Sequence, residues 1–564
     1  MRYSMPWGMS AVLFLLMGIW SLSFLNCGPK VRVPRPIKPK VEPTIRVGIL
    51  QNSDQISFRC PLGFRVIDDQ GAAILSSGTS GGKWSVRVKF GQPAEMVYRI
   101  GLYAGGDMAT ALRRVDEVSA LGQQPKIIQV GQELLLGTRV LNDNRKYWLT
   151  IGPYATKEEA TAHRENLPSE AAGSIITEIS SPPLGVLDLV DPAGRVAFSS
   201  GEPFVLELND PEEGLFTLFE IPVGRGFWWE RQEDRSYRGK MEFRMGNDGK
   251  MLVVNELDLE DYLKGVLPSE MNPGFPSAAL RAQAIAARSY TIAKLGIQHP
   301  LDPFDLCANV HCQAYSGTTK EHPTTSQAVE ETRGHVLLYQ GEVCATVYSA
   351  VCGGHTENTE NVWGGQPQAY LVGVPDASPE ESATLPKNLS SNEEAVRRWV
   401  TSTPPVFCNH LSEETPSALH YARKHFRWSV NYSRQELEEI LAQKTREKIG
   451  NLLDIIPISR GPSGRLIKVK IVGDAGHFMV EQELNIRRAL SPSHLRSACF
   501  VVDREMGFDG LPTTFVFRGA GWGHGVGMCQ CGAAGMAFRG MDHRQILSHY
   551  FQGTEVAKIY GVLF

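Results

Sequence analysis

The chain has 564 residues, 42% of them hydrophobic, with 57 basic against 61 acidic side chains and a formal net charge of -4. That length exceeds the about 250–300 residues at which a single core stops growing, so more than one domain is expected. The near balance of charge excludes nucleic acid as a partner held by its phosphates, and the ordinary apolar content excludes a disordered chain.

Residues 1–27 join a basic start at Arg2 to an apolar run from Met9 to Leu25, the pattern of an export signal. Either Cys27 carries the lipid of a lipoprotein or the run stays as a membrane anchor, and both place the body in the cell envelope, at the outer face of the cytoplasmic membrane or in the periplasm. Residues 28–44, rich in Pro, Lys and Arg, read as an extended tether. Short alternating strands follow over 45–92. From Val97 a strand-then-helix pattern occurs twice: VYRIGLY before a helix over 107–121, then YWLTIGPY before KEEATAHRENL. This pair resembles the SPOR domain. The resemblance implies that residues 93–172 are a small inserted α/β sandwich that binds glycan strands stripped of their peptides. Tyr98, Tyr147 and Trp148 are the candidate contacts on its sheet, and alternation puts the last two on opposite faces, with Tyr147 expected to face ligand.

Strand patterns resume at 184–208 and 237–257, and then LDLEDYLKGVLPSEMNPGFPSAALRAQAIAARSYTIAKLG (257–296) changes period. Asp258 is placed to cap a first helix that Pro268 would end, with Glu260 and Asp261 suited to its positive end. Pro276 would open a second helix closed at Gly296, and its alanine content predicts burial. Glu270 then falls on a connector beside an apolar helix, with Arg281, Gln283, Arg288 and Tyr290 as its polar neighbours. A carboxyl group kept protonated by desolvation is what a general acid needs.

YLKGVLPSEM and QAIAARSYT, followed in order by DLCANVHCQAYSG (305–317), AVCGGHTENTENVWGG (350–365) and RGAGWGHGVGMCQCGAAGMA (518–537), resemble the SpoIID/LytB family of bacterial cell-wall proteins. The resemblance implies an α+β, β-rich catalytic fold over 180–564, begun by the strands of 45–92 and interrupted by the SPOR-like module. It implies a lytic transglycosylase whose acid/base is Glu270, acting on peptidoglycan glycan strands between N-acetylmuramic acid and N-acetylglucosamine. It implies further contacts to sugar from His355, Thr356, His524 and Gln530, beside Arg281, Gln283, Arg288 and Tyr290. The family's other branch modifies cell-wall amidases, so the competing expectation is a non-catalytic amidase enhancer or glycan-binding protein.

Cys307 and Cys312, with His311 between them and His299 upstream, form a zinc-type set, with a disulfide as the alternative in an exported protein. The resemblance implies zinc on His299, Cys307 and Cys312, with His311 in reserve, in a structural role; the lytic reaction needs only a carboxylic acid. A zinc amidase on those ligands is a third class, disfavoured by a thiol-rich set without a carboxylate pair. Gly519 to Gly527 alternate strictly around His524, which excludes the G-x-G-x-x-G dinucleotide fingerprint. Residues 434–453 read as an amphipathic helix, LIKVKIVG with HFMVEQEL as a hairpin, and DHRQILSHYFQGT as a closing helix with Ile546, Leu547 and Tyr550 inward.

Overall fold

The computed structural model describes residues 42–561 apart from 69–70, 79–80, 121, 168–172, 225–229 and 413–414, so the export run, Cys27 and the tether to residue 41 lie outside the described residues. No helix among the described residues is long and apolar enough to cross a membrane.

Two antiparallel-rich sheets form the first layer pair. The seven-stranded sheet runs, edge to edge, Leu306–Cys307, Thr44–Ser53, Met251–Asp258, Lys240–Met245, Phe204–Leu208, Phe64–Ile67 and Ala73–Ser76. The six-stranded sheet runs Val196–Ser200, Leu184–Val190, Trp84–Gln92, Gln55–Arg59, Phe216–Val223 and Arg231–Tyr237. Alternation sends Phe58, Phe64, Phe204, Phe216 and Phe243 inward, where their rings pack edge-on, tilted or stacked at centroid distances of 5.5–6.3 Å. The chain is therefore mixed α+β and rich in strands.

Trp84–Gln92 and Leu184–Val190 pair directly, Gln92 opposite Leu184, and everything between them is the inserted module. Its sheet orders Ile175–Ser181, Glu95–Gly105, Lys146–Tyr154 and Pro125–Val130, with helices Met108–Ala120 and Lys157–Glu165 packed against it. The doubled strand-helix pattern is thus present, with a hairpin of Glu133–Leu136 and Arg139–Asp143 added and a last strand reaching past residue 172. Tyr147 and Trp148 are both half-buried, each on its own face of the sheet.

The module is fastened to the alanine-rich helix Ser277–Lys294. Asn144 Nδ2 donates to the carbonyls of Ala293 (3.1 Å) and Leu295 (2.9 Å), Asn142 Nδ2 to Ile292 (3.4 Å), and the Gly131 amide to Gly296 (2.9 Å). A helix end leaves its last carbonyls without intrahelical donors, and here another domain supplies them. Asn144→Ala should therefore cost about 1–3 kcal/mol in urea unfolding, the penalty for stranding buried acceptors; an unchanged midpoint would show that the contact is solvated.

The Ser277–Lys294 helix is buried on nearly all sides from Ala279 to Ile292, as its composition predicts. The helix before it differs from expectation. It runs Leu259–Glu270 straight through Pro268, and Asp258 makes no capping hydrogen bond to it. Leu263, Val266, Leu267 and Met271 are buried beside the alanine-rich helix, and that packing outweighs the proline's missing donor. Toward the C-terminus, Leu452–Arg460, Leu466–Gly473 and His477–Glu481 form a three-stranded meander containing the expected hairpin. The amphipathic helix stops at Thr445, where Arg446 adopts left-handed geometry. Helix His543–Tyr550 buries Ile546, Leu547 and Tyr550 as expected.

Candidate functional site

Glu270 is the last residue of the Leu259–Glu270 helix rather than part of a connector, so a rigid element aims its carboxyl group. Its Oε1 accepts the Ala314 amide at 2.7 Å. Burial pushes its pKa up, against the lowering effects of the Ala314 amide, the Gln530 side chain and the Lys320 ammonium. No second carboxylate figures among those influences. The arrangement is a single, partly desolvated carboxylic acid held from two sides.

Each side has its own support. Ala314 follows Gln313, whose Nε2 donates to Thr291 Oγ1 (2.8 Å) and Tyr262 Oη (3.3 Å) while its Oε1 accepts the Tyr348 hydroxyl at 2.7 Å. Two residues before Ala314 stands Cys312. His299, Cys307, His311 and Cys312 bring one ligand atom each within 4.8 Å of one another. The Cys307 and Cys312 sulfurs are 3.5 Å apart, His299 Nε2 is 3.3 Å from Cys312 Sγ, and His311 Nδ1 is 3.7 and 3.6 Å from the two sulfurs. The edges of a tetrahedron around zinc, with bonds of about 2.0–2.3 Å, are about 3.3–3.8 Å long, so the donor set fits that ion. His299 Nδ1 lies 2.9 Å from Asp302 Oδ2, the outer carboxylate that commonly orients a ligating imidazole. His311 reaches both sulfurs, so the group offers four candidate donor atoms. The edge strand Leu306–Cys307, parallel to Thr44–Ser53, anchors the loop to the large sheet.

On the other side, Gln530 opens the helix Gln530–Phe538, is buried, and reaches both Glu270 and Gln283 Oε1 (3.5 Å). The glycines before it pack closely on the 347–353 segment, bridged antiparallel at Val351 and Trp522, and just after them Met528 and Cys529 pair in parallel with Tyr348 and Ser349. Gly525 has a φ of 80° and any Cβ there would lie 2.3 Å from the Arg465 guanidinium carbon; a Cβ on Gly527 would lie 2.1 Å from the Val347 carbonyl oxygen. The alternating glycines therefore admit the protein's own chain. His524 donates from Nε2 to the Tyr348 carbonyl (2.9 Å) and accepts the Val526 amide at Nδ1 (3.0 Å), so its tautomer is set and both nitrogens are engaged. Burial pushes its pKa down to about 3.

Several residues expected at the substrate lie elsewhere. Arg288 is wholly buried and bound to Glu260, which sits inside the core instead of at an exposed helix start. His355 spends its nitrogens on the Thr356 (2.7 Å) and Lys387 (3.1 Å) carbonyls, and Thr356 exchanges hydrogen bonds with Val374; both are core residues. Arg281 pairs with Glu331 at 2.9 Å. Tyr290 stays close enough to feel both Glu270 and the Cys307–Cys312 pair. Sequence reasoning passed over Trp363 and Trp522, exposed large aromatics of the VWGG and GWGHG stretches. Trp363 lies tilted against His524 at a centroid distance of 4.8 Å, and Trp522 stacks on His425 at 4.0 Å. Their place beside the glycines of the VWGG and GWGHG stretches is the signal that could have found them.

The family model for stage II sporulation proteins matches residues 247–339, that for the SPOR domain residues 95–177, and that for a domain of unknown function (DUF8618) residues 357–527. An uncharacterised protein of Brachyspira hyodysenteriae is 34% identical over 321 residues, 57% of this chain and 72% of that one. An amidase enhancer of Bacillus subtilis is 28% identical over 52% of this chain and 40% of its own length. Stage II sporulation protein D of the same organism is 24% identical over 54% of this chain and 76% of its own.

Proposed function

The chain belongs to the SpoIID/LytB family and carries a SPOR domain, and from that premise we propose that it is a peptidoglycan lytic transglycosylase working through Glu270. The observation that carries this reading is one half-buried carboxylic acid with a raised pKa, supported by a backbone amide and an amide side chain, and with no carboxylate partner among the described residues. Ordinary glycosidases pair two carboxyl groups, one as acid and one as base or nucleophile. One suffices when the substrate supplies its own nucleophile. Glu270 delivers its proton to the glycosidic oxygen as the bond from C1 of the muramic sugar breaks. Its carboxylate then takes the proton from the C6 hydroxyl as that oxygen closes on C1, leaving a 1,6-anhydro end and restoring the acid. Trp363 and Trp522 would offer stacking faces for sugar rings.

His299, Cys307, His311 and Cys312 would hold a structural zinc ion, which supplies order to the loop that ends in the Ala314 amide. Chelation is accordingly expected to lower the melting temperature more than the turnover of protein that remains folded. A turnover loss with an unchanged melting temperature would overturn the structural role.

Both matched families are cell-envelope proteins and SPOR domains bind peptidoglycan, so the inserted domain would keep denuded strands within reach of Glu270 by effective concentration. Mass spectrometry of glycan digested by the purified protein tests the reaction. Anhydro ends support it; reducing ends point to hydrolysis, and released peptides to an amidase. Intact glycan alongside a stimulated cell-wall amidase supports instead the enhancer reading, which the relative of that name favours.

A further inference from the structure

A second cluster of ligand-type side chains lies apart from the zinc loop. Cys352, Asp376, Cys408 and Cys529 bring one ligand atom each within 4.8 Å of one another, and all four are buried. The sulfurs of Cys352 and Cys408 are 3.6 Å apart. Thiolates on one tetrahedral zinc stand about 3.8 Å apart, whereas a disulfide needs about 2.05 Å and would leave the third thiol unused. The surroundings favour anions here. Cys529 Sγ accepts the amides of Cys352 (3.2 Å) and Gly532 (3.3 Å) at the positive end of the Gln530–Phe538 helix. Cys352 Sγ accepts the Gly354 amide (3.4 Å), and Asp376 accepts the Cys408 amide (2.9 Å) and the Tyr550 hydroxyl (2.5 Å). The cation nearest in effect, Arg427, gives its Nε and Nη1 donors to the carbonyls of Ser402, Gly353 and Phe426. Three thiols and a carboxylate packed together in a core are costly unless an ion joins them.

We propose that Cys352, Asp376, Cys408 and Cys529 hold a second, closed zinc site. It would tie together four segments drawn from 178 residues of chain, counting from 352 to 529 inclusive. Gln530 follows Cys529 directly and helps set the pKa of Glu270, so the ion would also position one of the acid's two supports. That last role rests on the reaction proposed above; the site itself does not.

Metal analysis of the purified full chain is expected to find two zinc ions per molecule. Cys307→Ser/Cys312→Ser should retain one, and after exchange for cobalt that ion should show intense thiolate-to-metal absorption. Cys408→Ser should retain the other. Should Cys408→Ser fail to fold, X-ray absorption of the wild-type chain still decides, since the two sites average more sulfur per zinc than the two thiolates of the first site alone. A single zinc in the wild type, or a Cys352–Cys408 crosslinked peptide recovered from unreduced protein, overturns the proposal. Two zinc ions without anhydro products would count against the reaction and leave the site standing.

Discussion

Glu270→Gln is expected to reduce the release of anhydro-ended glycan by about 10²–10⁴-fold, the usual worth of a positioned acid/base, and at the same time to stabilise the protein above neutral pH. The glutamine keeps an oxygen for the Ala314 amide at nearly the same place, so the fold loses no partner. It cannot deliver a proton. The stability effect follows from the raised pKa: below the unfolded value of 4.5 the carboxyl is protonated folded or unfolded, and it costs nothing. As pH rises from there through the higher folded value, the unfolded chain ionises first, and wild-type stability falls. Glutamine does not titrate, so the melting temperature of the mutant should match wild type near pH 4 and exceed it near pH 8. Wild-type turnover should decline over the same alkaline window as the acid form is lost. Near-normal cleavage by the mutant would remove Glu270 from the chemistry, and equal melting temperatures at both pH values would mean that its carboxyl is solvated.

How much of this was legible in the chain depends on how local each signal is. Glu270 and the candidate zinc loop lie in short, ordered motifs, and His299, Cys307, His311 and Cys312 span only 14 residues counting both ends, so spacing together with the family resemblance grouped them. The Cys352–Asp376–Cys408–Cys529 cluster was invisible to spacing because its ligands meet only after the glycine-rich block docks along 347–353. Pro268 misled in the other direction, since a helix-ending rule of local origin was overruled by burial of Leu263, Val266 and Leu267. His355, Thr356 and Arg288 show the commonest error. Polar residues inside a functional motif read as ligand contacts, yet a buried motif also needs hydrogen bonds to hold itself, and the sequence does not separate the two uses.

Arg288 offers the sharpest test of that distinction. Its guanidinium makes a two-pronged contact with Glu260, Nε to Oε1 at 2.9 Å and Nη2 to Oε2 at 2.6 Å, with neither side chain exposed. Nη1 also donates to the His335 carbonyl at 3.0 Å, and Glu260 accepts the Gly334 amide (3.2 Å) and the Tyr560 hydroxyl (2.5 Å). Burial pushes the Glu260 pKa up, but Arg288 and these donors outweigh it and hold the carboxyl below its ordinary value of 4.5. The pair's contribution is therefore present above about that pH and fades as pH falls further. Arg288→Met strands the carboxylate in the core and should cost about 3–5 kcal/mol at neutral pH. Adding Glu260→Gln, which keeps acceptors for Gly334 and Tyr560 but removes the charge, should recover part of that loss, giving a coupling in a double-mutant cycle that two independent sites would not show. At a temperature where Arg288→Met remains folded, its KM for soluble glycan fragments should equal wild type. A raised KM with an unchanged unfolding midpoint would return Arg288 to the substrate cleft; the bidentate geometry and complete burial predict the reverse.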